Sequence, residues 1–200
     1  VGRIVVMNHL TLDGVMQAPA RLDEDKRGEF THGGWARSTA ETGEEMGKAM
    51  NRRIAAGGGL AGWLFGRLTY DDLLGYWNRE GGSFKEALNR TPKYVASSTP
   101  SLPLPWPNST LLHGDIPKRI QALKNQTTGV LGIMGSGQLI KTLMFAGMID
   151  EYMLMIHPLV LGSGRRLFPE RLELPLTLID CATLPAGIVI ATYEPQKQGR

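Results

Sequence analysis

The sequence predicts an α/β domain whose central sheet is mostly parallel and closes with antiparallel strands. Short apolar runs alternate with helical spacings as far as Phe145, the order that builds parallel crossovers. Three strand-like runs then follow with no helix between them, which calls for antiparallel pairing at one side. A further pattern says where such a domain would work. At Gly66, and again at Gly135-Ser136-Gly137, a strand runs into a helix through glycine. Ligands of open parallel sheets sit beyond the carboxyl ends of the strands, where both junctions fall.

Arg3–Leu10 is a β-prone run centred on Ile4, Val5 and Val6, and Asp13-Gly14 is the turn that follows it. Residues 19–39 mix charge with Gly33-Gly34 and keep no period, so they read as a long loop. Glu44–Ala56 has helical apolar spacing, with Thr42 as its N-cap and Arg52 and Arg53 at its C-terminal end. Leu60–Phe65 is short enough for a buried strand, and Thr69 with Asp71 and Asp72 has the chemistry of the helix start after it. Phe84–Asn89 is a short helix, Lys93–Ser98 a strand ending in two hydroxyls, and Ser101–Pro107, with its three prolines, a loop. Ser109–His113 is a strand, and Pro117 opens another helix. The run from Val130 breaks at Gly135-Ser136-Gly137 and continues as a helix to Phe145. Ile149–Leu161 reads as a long strand and Arg165–Pro169 as a short helical turn. Leu174–Ala182 and Ile188–Glu194 are two strands joined through Pro185-Ala186-Gly187.

Two hundred residues suffice for one domain with a sizeable core, and 42% hydrophobic with 20% charged residues is ordinary globular composition. A net charge of +3 is too small and dispersed for a nucleic-acid partner. The apolar stretches stop well short of the roughly 18 residues a membrane span needs, and Val1–Met7 reads as a strand, not as a signal peptide. The lone Cys181 excludes an internal disulfide and a cysteine-based zinc site, so the expected setting is reducing and cytoplasmic, with no metal.

The glycine junctions suit an anion. Glycine lets the backbone come close, and the unpaired N–H groups of a helix start favour negative charge. The dinucleotide fingerprint Gly-x-Gly-x-x-Gly is nevertheless absent, because Gln138-Leu139-Ile140 follows Gly137, and there is no P-loop. Arg67, one residue beyond a strand end and near the hydroxyls of Ser97 and Ser98, suits a phosphate such as the 2′-phosphate of NADP.

Six segments in order carry a resemblance. They are Thr11-Leu12-Asp13-Gly14, His32-Gly33-Gly34-Trp35, Phe65-Gly66-Arg67-Leu68-Thr69-Tyr70, Lys93-Tyr94-Val95-Ala96-Ser97-Ser98, Gly135-Ser136-Gly137-Gln138-Leu139 and His157-Pro158-Leu159-Val160-Leu161-Gly162-Ser163-Gly164. With them the chain resembles the dihydrofolate reductase-like superfamily, and within it stand-alone relatives of the RibD C-terminal reductase domain. The resemblance covers nearly all of residues 1–200 as a single domain. It implies a sheet of about eight strands flanked by helices, with NADPH lying across its carboxyl edge.

On this resemblance Gly66, Arg67, Leu68 and Thr69 form a phosphate turn, Ser97 and Ser98 reach the ribose phosphate, and Gly135, Ser136, Gly137, Gln138 and Leu139 cradle the pyrophosphate. Asp13 and Gly14 lie near the nicotinamide and the substrate, and Trp35 lines the substrate pocket. The register that carries a folate-gripping arginine in dihydrofolate reductases falls at Thr91, and that of a pterin-fixing threonine at Ile156. Both departures argue against folate.

Reduction of a C=N or C=O bond needs a proton donor beside the acceptor atom. Three carboxyls are candidates: Asp13, and Glu44 and Glu45 in the first turn of their helix, where dipole compensation explains them equally well. The expectation is an NADPH-dependent reductase of a small pyrimidine- or pterin-like or carbonyl substrate. The alternative is a non-catalytic nucleotide-binding or interaction module. The resemblance also implies a homodimer, for which the apolar run Ile149–Leu161 would suit an interface.

Overall fold

A computed structural model of the protein describes residues 1–37 and 39–196. The chain runs β1 (Arg3–Thr11), α1 (Ala40–Ala56), β2 (Leu60–Gly66), α2 (Arg67–Glu80), α3 (Gly82–Arg90), β3 (Lys93–Ala96) and β4 (Ser109–Leu112). It continues with α4 (Ile116–Gln126), β5 (Val130–Ile133), α5 (Gly137–Phe145), β6 (Glu151–His157), β7 (Leu176–Thr183) and β8 (Val189–Pro195). The strands form one sheet in the order β4-β3-β2-β5-β1-β6-β8-β7. β2 pairs in parallel with β3 and β5, and β3 with β4, whereas β6, β8 and β7 pair antiparallel. The mostly parallel sheet with antiparallel C-terminal strands is therefore present. Among the described residues no helix is long and apolar enough to cross a membrane.

The chain packs as two compact units. The first comprises Val1–Val5 and Ile54–Ile149, the second Val6–Arg53 and Asp150–Arg200. In the first, Leu64, Phe65, Leu74, Leu88, Val95, Ile120, Leu131 and Ile140 are at most 1% exposed. Burial of such side chains contributes about 1.5–3 kcal/mol each. Gly132 faces Trp63 across β5 and β2, and a Cβ there would stand 2.4 Å from the indole, so the glycine makes room for the ring. Lys93 is fully buried yet satisfied: its amine donates to the carbonyls of Leu88, Asn89 and Thr91 at the end of α3.

In the second unit the pleat divides the strands between two faces. Glu151 points to the face where α1 lies and is paired there with Arg53, with the carboxylate 3% exposed. On the opposite face Leu10, Leu12, Leu154, Ile156, Phe168 and Tyr193 line an open apolar depression of about 460 Å³. Val15, Ala18 and Phe30 form a small separate core in the long loop, with Trp35 and Leu161 packed on it.

Several boundaries differ from expectation for local reasons. α1 starts at Ala40, because Thr39 accepts the Thr42 amide through its hydroxyl, and Thr42 is buried inside the helix instead of capping it. α2 starts at Arg67, directly after Gly66, which puts Thr69 in its first turn. The expected strand Ile149–Leu161 is only Glu151–His157, since Pro158 cannot donate to a ladder and Leu159 folds back onto the His157 carbonyl. Arg165–Pro169 forms no helical turn; Arg166 instead bridges Val15. β6 is an interior strand with six of its seven residues buried, so it offers no interface of its own.

Candidate functional site

In the first unit the two glycine junctions and the end of β3 come together. Gly66 stands beside Ala96 in the β2–β3 register, which sets Ser97 next to the start of α2. Ser136 ties the two helix starts to each other. Its hydroxyl accepts the Gly66 amide at 2.8 Å, and its own amide donates to the Thr69 hydroxyl at 2.9 Å.

This stitching has a chemical consequence. A serine at an N-cap ordinarily turns its oxygen onto the first N–H groups of its own helix. Ser136 is instead in the left-handed conformation, φ 57° and ψ 45°, and gives α5 no side-chain cap. The leading N–H groups of α5 are therefore left to a ligand, and the helix dipole favours an anion there. Both hydroxyls act as acceptors toward backbone, so each O–H remains free to donate. Gly135, at φ 63°, is required for this closeness: a Cβ on it would stand 3.0 Å from the Thr69 methyl.

The remaining predicted cofactor residues divide by exposure. Leu139 is buried, so only its backbone can face a ligand, whereas Gly137 is half-buried and Gln138 exposed. Leu68 is exposed on the first turn of α2. Ser97 accepts the Thr99 amide at 3.1 Å and Ser98 is exposed. Arg67 is paired with Asp71 one turn along α2, both side chains partly exposed, so an incoming phosphate would have to share the guanidinium with that carboxylate. The Tyr70 hydroxyl is buried and donates to Ser109; it belongs to the core and not to the phosphate turn.

In the second unit Asp13 is the hub of a loop clamp. Its carboxylate accepts the Thr11 hydroxyl at 2.6 Å and the amides of Leu161 at 3.2 Å and Gly162 at 2.8 Å. The Thr11 hydroxyl, and after it the Gly162 and Leu161 amides, hold the Asp13 carboxyl down at about 2. Such a group is ionised at neutral pH and has no proton to give. Glu44 and Glu45 both pair with Lys48 at the surface of α1; since the helix starts at Ala40, they stand beyond its first turn, whose acid is Glu41. All three carboxyls named from the sequence are thus engaged by neighbouring groups of the chain.

Gly14, at φ 81°, turns the chain after β1 and reaches the rim of the apolar depression. Trp35 donates its indole N–H to the Gln17 carbonyl at 2.7 Å and sets its edge on His157 at 5.4 Å. His157 Nε2 in turn lies 2.8 Å from His9 Nδ1. His9, beside Asn8 near the end of β1, carries no motif in the sequence, because only the β1–β6 adjacency brings the two rings together. Among the described residues no group of acidic, histidine and cysteine side chains could hold a metal.

The sheet order, with a glycine-led helix start at the carboxyl edge, defines a dihydrofolate reductase-like fold. The chain aligns with dihydrofolate reductase of Enterococcus faecalis, a structure complexed with NADP(H), at 15% identity and TM-score 0.58, covering 98% of each chain. It aligns with a putative riboflavin biosynthesis protein of Shewanella sp. PV-4 at 21% identity and TM-score 0.71, covering 98% of this chain and all of that one. By sequence it is 30% identical over 138 residues to YyaP of Bacillus subtilis (strain 168), 65% of this chain and 71% of that protein. The RibD C-terminal domain family matches residues 3–190, and the chain belongs to it.

Proposed function

We propose that the protein is an NADPH-dependent reductase of a small heterocyclic substrate, pyrimidine- or pterin-like, or of a small carbonyl compound. The observation that carries this is the Gly66–Ser136–Thr69 stitch, which leaves two hydroxyl donors and an uncapped helix start facing one place. That donor set fits a pyrophosphate: all neutral N–H and O–H groups, with Arg67 beside them for a further phosphate. Family membership and the fold of the NADP(H)-complexed relative agree with it. A nicotinamide cofactor, when bound, supplies a hydride. The chain's own part is to hold the phosphates through Gly66, Arg67, Thr69, Ser97, Ser98 and the 135–139 turn.

Titration of the protein with NADPH, read by quenching of tryptophan fluorescence, tests the cofactor half. Saturable quenching in the micromolar range is expected, and its absence at millimolar NADPH overturns the reading. A second reading is a non-catalytic nucleotide-binding module, favoured by the engagement of Asp13, Glu44 and Glu45 elsewhere. Consumption of NADPH with any member of a panel of pteridines, pyrimidinones and simple carbonyls separates the two.

The reading also includes a cytoplasmic homodimer. Its support is the apolar depression of the second unit together with the exposed Leu12, Val160, Leu178 and Ile179. Such an apolar surface is costly to leave in water.

A further inference from the structure

His9 and His157 form a pair that no role given above uses. His9 lies two residues before the carboxyl end of β1, and His157 is the last residue of β6. Both belong to the second unit, as does Trp35, whose ring stands edge-on to His157. The histidine rings are 5.1 Å apart between centroids and joined Nδ1 to Nε2 at 2.8 Å. His157 is 4% exposed and His9 half-buried.

Two ring nitrogens at this distance need one proton between them, and neutral rings can supply it in two ways. In one arrangement His157 Nε2–H donates to His9 Nδ1, and His9 presents an N–H at Nε2. In the other His9 Nδ1–H donates, and His9 Nε2 is a bare acceptor. The outer nitrogens, His9 Nε2 and His157 Nδ1, have no protein partner among the described residues. Since no buried side-chain nitrogen among those residues lacks a partner, both meet solvent. Burial first, and His157 second, hold His9 at about 4, and burial lowers His157 as well. The pair is therefore uncharged at neutral pH. A purely structural histidine pair would be sealed at both ends. This one is open at both ends, at the carboxyl edge of the sheet, beside the aromatic wall of the long loop.

We propose that His9 and His157 are the proton relay of the reduction, with His9 the catalytic residue that touches the substrate; this rests on the reductase reading above. Hydride adds to the carbon of a C=O or C=N bond, and the π electron pair moves to the oxygen or nitrogen. His9 Nε2–H gives its proton to that atom. His9 Nδ1 takes the proton of His157 Nε2, and His157 Nδ1 takes one from water, releasing hydroxide to the buffer. Each ring loses one N–H and gains one, so neither changes charge and the pair finishes in its other tautomer. No imidazolium is needed, which matters because burial opposes one. The same switch lets His9 meet a carbonyl as a donor or a ring N–H as an acceptor, so the relay suits heterocycles that carry both.

Wild type, His9→Gln, His9→Asn and His157→Gln are compared by NADPH quenching, by turnover of the carbonyl, pyrimidinone and pteridine panel, and by side-chain ¹⁵N NMR. The expected result is cofactor affinity unchanged within about twofold, kcat lower by about 100-fold in both His9 variants and about tenfold in His157→Gln. The wild-type spectra should show one shared N–H and two uncharged rings at pH 7. Turnover kept in all variants overturns the relay and leaves the reductase reading standing, as does a loss in only one of the His9 variants. Absence of turnover by the wild type, with NADPH bound, overturns the reductase reading and the relay with it. Two rings that titrate independently in the ordinary histidine range overturn the relay whatever the turnover.

Discussion

Asp13 has both carboxylate oxygens committed, to the Thr11 hydroxyl and to the amides of Leu161 and Gly162. Asp13→Ala removes the acceptor of all three and should speed hydrogen exchange at the Leu161 and Gly162 amides, with little change elsewhere. The pH dependence follows from its carboxyl, held at about 2 against an ordinary 3.8. The folded form binds the proton less readily, so the clamp stabilises the protein fully above about pH 4 and fades as pH falls through 2. An exchange rate at Gly162 that is flat from pH 5 to 2, after correction for intrinsic exchange, would count against it. Lys93 is the opposite case, a fully buried cation whose amine caps three carbonyls. Lys93→Met takes the ammonium donor from all three carbonyls, of which Asn89 keeps the Asn108 side-chain amide, and should cost on the order of 3 kcal/mol in denaturant unfolding. Burial pushes the Lys93 ammonium down to about 8. The folded chain binds this proton less readily than the unfolded one, so the desolvation cost of the charge is carried in full below pH 8 and stability should rise as pH goes from 8 to 10.5. A Lys93→Met variant as stable as wild type sinks the assignment.

At the scale of elements, the junction of β2 with α2 and that of β5 with α5 work as one device because Ser136 links them. Thr69→Val keeps the shape and removes the acceptor of the Ser136 amide. It should weaken NADPH binding by about tenfold while costing about 1 kcal/mol of stability. Gly135→Ala must put a Cβ at positive φ against the Thr69 methyl, so it should be worse on both counts. Fluorescence titration and thermal melts check both, and Gly135→Ala binding NADPH like wild type would remove the stitch from the argument. α1 is held to β6 through Arg53 and the buried Glu151. Arg53→Met removes the cation that pairs with that buried carboxylate and should cost about 3 kcal/mol, more than an exposed pair such as Lys48 with Glu44 would.

At the scale of the whole molecule, β7 is an edge strand with Leu178, Ile179 and Cys181 exposed. A native edge of this kind is normally covered or charged. If a second copy covers it, light scattering should give twice 21.9 kDa, and Leu178→Glu should return the mass to that of one chain. A wild-type mass of one chain at all concentrations rejects the dimer.

The alternation of apolar runs with glycine-led helix starts determined the α/β class, the order of strands and helices, and the place of the two glycine turns. Such features are local: a four-residue apolar run, a Gly-Ser-Gly break and a helical stripe carry their meaning in consecutive residues. Boundaries were less legible where one hydrogen bond decided them, as at Thr39 for α1 and Pro158 for β6. What acid or base serves the substrate was not legible at all. Asp13, Glu44 and Glu45 are suitable residue types at suitable places, and only the tertiary structure shows their oxygens already held by Thr11, Leu161 and Gly162 or by Lys48. His9 and His157 are 148 positions apart, and neither belongs to a motif that names the other. Strand adjacency alone makes them a pair, because a hydrogen bond depends on distance in space, which no spacing along the chain encodes.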